Sequence, residues 1–181
     1  MENNNRFYPA WLEFLPWLFL VLFWVYTATQ YSGLPDTYPY HFGAGGTPNA
    51  WAETSPFIVF LMPAVATIMT GMFTFFNTKL LPNTNEPMKY INLPNKPKGP
   101  LPQKTTEKIR GLIIRSLYAL NITLSLAFFS CGYYSIQTAL GQQASISWSY
   151  SAFIVLIVFV VFIALYMSFR LTFIARSSMI K

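Results

Sequence analysis

Four stretches of about 20 mainly apolar residues, at 11–31, 56–77, 115–140 and 150–169, constrain this chain more than anything else in it. A run of that length crosses a hydrocarbon core of roughly 30 Å as an α-helix. The apolar residues come in blocks and not in an amphipathic rhythm. Of the 181 residues 54% are hydrophobic and 10% charged, whereas about a quarter of a soluble domain is charged. The expected fold class is an all-α integral membrane protein. It has four transmembrane helices and an ordered outer loop, 32–55, between the first two. Residues 1–181 form a single membrane domain.

The first span, Trp11 to Tyr31, carries Glu13 near one end and Pro16 one turn in, where a helix starting near Trp11 bends. A cleaved signal peptide has a shorter apolar core and a more basic front end than the lone Arg6 provides. In the second span Ser55 and Pro56 form a good helix start, and Pro63 predicts a bend. Thr67-x-x-x-Gly71 is a small-x-x-x-small spacing, which lets helix backbones approach closely. The third span places Asn121, Ser125, Phe128, Gly132 and Ser135 on one face. An amide in hydrocarbon needs a partner, so Asn121 is expected to face protein, against Thr67 and Gly71. Asn121-Ile122-Thr123 matches a glycosylation sequon only formally, since glycans decorate exposed loops. Cys131 is read as a small packing residue. The fourth span is apolar on every side and belongs on the outside of the bundle, with Trp148, Tyr150 and Tyr166 suited to the interfaces.

Charge sets the orientation. Eight of the twelve Lys and Arg residues lie between Lys79 and Arg115, the other four lie at the termini, and the connections 32–55 and 141–149 have none. Positive residues stay in the cytoplasm, so both termini and the middle loop are expected inside and loop 32–55 outside. The location implied is a prokaryotic cytoplasmic membrane. The net charge of +6 is then a topology signal with some attraction for anionic headgroups. It does not indicate nucleic acid, for which there is no motif.

The outer loop reads GLPDTYPYHFGAGGTPNAW over residues 33–51. Pro35 and Pro39 stiffen an extended path. A short strand would place Tyr38, Tyr40 and Phe42 on one side. Gly43 to Gly46 permits positive φ, Thr47-Pro48-Asn49 continues the turn, and Trp51 returns to the interface. The inner loop, 79–108, has six prolines and reads as an extended tether between two hairpins, followed by a helix opening at Thr105.

The pattern Leu34-Pro35-Asp36, Pro39, His41-Phe42, Gly46, Pro48-Asn49 and Trp51 resembles the signature of a prokaryotic membrane domain of unknown function. That domain also occurs in the sporulation-delaying-protein immunity family, the SdpI-type proteins. The resemblance extends to Tyr90-Ile91-Asn92-Leu93-Pro94 and Ala139-Leu140-Gly141, and so covers most of residues 10–170. The family usually has Asn after the Phe, Gly before the Trp and a basic residue beyond it, where this chain has Gly43, Ala50 and Thr54, with Glu53 alongside.

Catalytic readings are thin. His41 is the single histidine; with Asp36 and Glu53 it makes a weak metal or acid–base set, short of the three or four ligands of a zinc site. Haem ligation by paired His is impossible within one chain, and no G-x-S-x-G motif occurs. No Asp, Glu, Lys, Arg or His lies near a span midpoint, which argues against transport. The expectation is therefore a non-catalytic protein without cofactor or metal, whose partners are the bilayer and another membrane protein, peptide or toxin. Resemblance implies a receptor-like or immunity-like role, with the outer loop recognising a peptide, toxin or lipid. The alternative is an accessory subunit of a larger membrane complex, and a membrane hydrolase using His41 stands third. Homo- and hetero-oligomers remain open.

Overall fold

In a computed structural model, the described residues are 7–43, 45–90, 101–142 and 147–177. A 3-10 turn, Ala10–Glu13, leads into helix α1, Phe14–Tyr31. Strands β1, Thr37–Phe42, and β2, Pro48–Glu53, follow as an antiparallel hairpin. Helix α2, Pro56–Phe75, continues through a π-helical turn, Phe76–Leu80, and a short turn, Leu81–Asn83. Helices α3, Gln103–Ala139, and α4, Ser147–Ser177, complete the chain. Among the described residues, four helices are long and apolar enough to cross a membrane. The all-α expectation needs one amendment: the loop between the first two helices is a two-stranded sheet.

Local chemistry accounts for the helix ends. Pro16 falls in the first turn of α1, where its missing N–H interrupts no intrahelical bond. The expected irregularity takes the form of the 3-10 turn, which runs into α1 with helical backbone at Phe14. Ser55 caps α2, its hydroxyl accepting from the Ile58 amide at 3.4 Å, with Pro56 in the first turn. Inside α2, Pro63 removes one donor and Thr67 Oγ1 donates to the Pro63 carbonyl at 2.8 Å. The third helix starts twelve residues earlier than its apolar span suggests, directly after Pro102, whose carbonyl accepts from the Thr105 and Thr106 amides. Its 37 residues make a rod of about 55 Å at 1.5 Å each, far longer than a hydrocarbon core. The stretch before Arg115 and the apolar span are thus one continuous helix.

Helices α1, α2 and α3 pack on one another, and α4 packs against α3. Only 11% of the α4 span is buried, against 44% of the α3 span. Three apolar layers run along the bundle. At one end Leu81, Ile109, Ile113, Ile114 and Leu171 cluster; Leu20, Phe23 and Ala66 form the middle; Tyr38, Val59 and Ile136 form the layer beneath the hairpin. Lipid tails are as apolar as Leu, so such helices are held by close packing and polar contacts and gain little from apolar transfer. The Ile91–Pro94 part of the inner-loop pattern, the prolines at 94, 97 and 100, and the Trp148 and Tyr150 rings lie outside what is described.

Candidate functional site

The hairpin is seated on the helices through β1, which contacts α3 and α2. Tyr38 and Pro39 are buried, and Tyr38 packs with Val59 of α2 and Ile136 of α3, beside Tyr26, Tyr31 and Leu34. The Tyr38 hydroxyl also bonds to Ser135 of α3, and burial pushes its phenol up to about 12 against that bond's lowering effect. The base of the hairpin is closed by two bonds across its stem. The Thr54 amide donates to the Asp36 carbonyl at 2.8 Å, and its hydroxyl donates to the Pro35 carbonyl at 2.6 Å. At the tip, the Gly43 amide donates to the Thr47 carbonyl and the Gly46 amide to that of Gly43, both at 2.9 Å. Gly46 has φ of 74°, a conformation that glycine adopts without penalty.

Two bulges decide what the hairpin displays. Register pairs Pro39 with Trp51, His41 with Ala50 and Phe42 with Pro48, which leaves Tyr40 on β1 and Asn49 on β2 as extra residues. An inserted residue shifts the alternation of faces. The expected one-sided row of Tyr38, Tyr40 and Phe42 therefore does not form: Tyr38 is buried, Phe42 is half-buried, and Tyr40 is 55% exposed. Trp51 is 48% exposed on β2, opposite the buried Pro39. The second bulge brings the Asn49 amide to His41, whose Nδ1 donates to Asn49 Oδ1 at 2.6 Å. Asp36, His41 and Glu53 are all exposed, and among the described residues no three His, Cys, Asp or Glu side chains come together.

A family match falls on the hairpin and on the parts of α1 and α2 that flank it. Residues 18–67 match the model of a domain of unknown function, DUF1648. That stretch runs from Leu18 in α1 through both strands to Thr67 in α2. The chain is also similar to an uncharacterized protein of Archaeoglobus fulgidus, 33% identical over 75 residues. Those residues are 41% of this chain and 40% of that protein, so the chain spans less than half the length of the curated relative it matches. These similarities support a prokaryotic domain of unknown function. No solved structure matches the chain.

Below the hairpin, polar side chains form a seam where α1, α2 and α3 meet. Asn121, Ser125 and Gly132 of α3 are buried, as their shared face suggested, but their partners differ from the expected ones. Ser125 bonds Thr70 at 3.1 Å, and Asn121 Nδ2 donates to Thr74 Oγ1 at 3.5 Å. Thr67 and Gly71 instead face α1: Trp24 Nε1 donates to Thr67 Oγ1 at 3.0 Å, and a Cβ on Gly71 would sit 4.0 Å from Trp17. Thr70 and Thr74 follow Thr67 and Gly71 by three residues each, so neighbouring polar positions on α2 serve α3 and α1. Gly132 meets Phe23 of α1, whose ring occupies the place of a side chain at 132.

Other partners had no signal in the sequence. Trp17 Nε1 donates to Thr74 Oγ1 at 3.2 Å, which makes Thr74 a shared acceptor for α1 and α3. Gln137 Nε2 donates to the Tyr26 hydroxyl at 2.8 Å, just beneath the hairpin. At the opposite end Tyr8 donates to Glu13, and the Tyr118 hydroxyl donates to the Leu12 carbonyl at 3.1 Å. Trp and Tyr are ordinary residues of a membrane helix in sequence, and only the packing shows which of them carry a hydrogen bond inward.

Proposed function

We propose that the chain is a non-catalytic, multi-pass protein of a prokaryotic cytoplasmic membrane, whose outer hairpin recognises a peptide, toxin or lipid. The reading is receptor-like or immunity-like, in keeping with the resemblance to SdpI-type proteins. Both termini and the connection between α2 and α3 are cytoplasmic, as the basic residues require, and the hairpin faces outward.

One observation carries this reading. The hairpin buries Tyr38 and Pro39 while leaving the rings of Tyr40 and Trp51 about half exposed. A platform locked by packing holds its outward groups without losing further entropy on binding, which is the advantage of preorganisation. Exposed aromatic rings contribute large contact area at low conformational cost, and such residues are enriched where binding energy concentrates. The His41–Asn49 pair adds a directional polar group beside them.

A photoreactive amino acid placed at Tyr40 or at Trp51, with a third variant carrying it at the apolar position Leu22, tests the proposal in intact cells. A discrete peptide or lipid adduct at the hairpin positions, absent at Leu22, is the expected result. Identical adducts at all three positions would show that the hairpin meets only bulk lipid, and would refute recognition. A stoichiometric adduct with a large integral membrane protein would favour the accessory-subunit role.

A further inference from the structure

The end of the bundle opposite the hairpin has a groove of about 900 Å³ between α3 and α4. Its α3 wall is a stripe at helical spacing that begins at Lys104 and Lys108, continues through Leu112 and Arg115, and ends at Ala119. Its α4 wall runs the other way, from Phe173 and Arg170 through Tyr166 to Ile163. Four cations line this groove and no acidic residue does. The nearby acid, Glu107, already pairs with Arg110 at 2.7 Å.

Arg110 shows what a structural cation looks like here. It is largely buried, bonds Glu107, and donates to the Thr84 carbonyl at 2.5 Å, tying α3 to the end of α2. Lys104, Lys108, Arg115 and Arg170 are exposed, and none of them forms an ion pair among the described residues. Four like charges around one groove repel each other, which is tolerable only with an anion between them or water around them. Lys104 and Arg115 are eleven residues apart, about 16 Å along the helix. Beyond Arg115 the lining turns apolar at Ala119 and Ile163. The lining thus joins a stretch that carries four cations to an apolar end at Ala119 and Ile163, a sequence of polarity that suits a phospholipid. Basic pockets between helices on the cytoplasmic side are suited to such headgroups.

We propose that this groove holds an anionic phospholipid, its phosphate among Lys104, Lys108, Arg115 and Arg170 and an acyl chain along Ala119 and Ile163. Tyr166 lines the same groove and offers a hydroxyl to the headgroup from the α4 wall. The bound lipid would also fill the space between α3 and the otherwise exposed α4, which has few protein contacts elsewhere. The proposal rests on the membrane-spanning reading and is independent of what the hairpin recognises.

Native mass spectrometry of the full chain in mild detergent tests it, with phosphatidylglycerol, phosphatidylcholine or glycerol phosphate added in parallel. Retention of phosphatidylglycerol over phosphatidylcholine is expected, with an Arg115→Gln/Arg170→Gln variant weaker by about tenfold. A Lys104→Gln/Lys108→Gln variant should weaken similarly, and a Lys79→Gln/Lys89→Gln variant, with equal charge loss outside the groove, should not. Equal loss in all three would mean general charge attraction and overturn the site. Retention of glycerol phosphate as strong as that of the lipid would make it a site for soluble phosphates and overturn the lipid assignment. Unaltered retention in both groove variants refutes the proposal. Release of the chain from membranes by alkaline carbonate would overturn the membrane reading and this site with it.

Discussion

Replacing Gly132 by Ala probes the closest helix contact in the bundle. A Cβ at this position would overlap the edge of the Phe23 ring, and Phe23 is 1% exposed, so the ring has no open space to move into. It is held on its other sides by Leu20, Ala66, Phe128 and Phe129. Forcing extra volume into such a core costs about 1–3 kcal/mol. Gly→Ala in a helix interior also returns up to about 1 kcal/mol of helix propensity, which obscures the result for one variant alone. Gly71→Ala supplies the reference. It gains the same propensity, and its Cβ would lie 4.0 Å from Trp17, an ordinary contact. The difference between the two variants therefore isolates the overlap, and Gly132→Ala should be less stable than Gly71→Ala by about 1–3 kcal/mol. Thermal unfolding in mild detergent, followed by size-exclusion recovery, measures it. Phe23→Leu in the Gly132→Ala background should restore part of the loss, because the overlapping ring is gone. Equal melting of the two glycine variants, or no rescue by Phe23→Leu, would refute the close approach of α1 and α3.

Thr70→Val and Ser125→Ala should each destabilise the bundle, and the double variant should show a coupling of about 0.6 kcal/mol, since interhelical bonds in lipid average that value. Zero coupling in the double-mutant cycle would remove the bond. Tyr38 contributes stability through its neutral phenol: its folded pKa, raised to about 12, exceeds the ordinary 10. The contribution is fully present below pH 10 and is lost as pH rises toward 12, so protease resistance of the hairpin should fall across that window. Tyr38→Phe should abolish that pH dependence. His41→Gln should keep membrane accumulation and hairpin protection, because an amide nitrogen can still donate to Asn49, whereas Trp51→Ala should loosen the hairpin. Loss of function in His41→Gln with an intact hairpin would point to chemistry at His41. With Cys131 replaced, an impermeant thiol reagent should label a cysteine at Asn49 in intact cells and not one at Lys89; the reverse pattern inverts the orientation.

Sequence alone determined the four apolar helices, because lipid forces a backbone to satisfy its own hydrogen bonds and the apolar blocks are long enough to do so across a bilayer. It also marked the start of α2 at Ser55-Pro56, the buried face of Asn121, Ser125 and Gly132, and the exposed character of the last helix. These are local or periodic properties that one segment carries by itself. Pairing is different. Nothing in the composition of α2 says that Thr70 turns to α3, that Thr67 and Gly71 turn to α1, and that Thr74 is shared between the two. Two faces a step apart on one helix are equivalent until a neighbour's side chains select between them. The hairpin makes the same point, since its prolines and glycines signalled an ordered turn, but the bulges at Tyr40 and Asn49 depend on register with the opposite strand. That register, set where Tyr38 seats against Val59 and Ile136, decided which rings face out and brought His41 to Asn49. The basic groove likewise exists only because α4 returns along α3 and brings Arg170 to the same groove as Arg115, 55 residues apart in the chain.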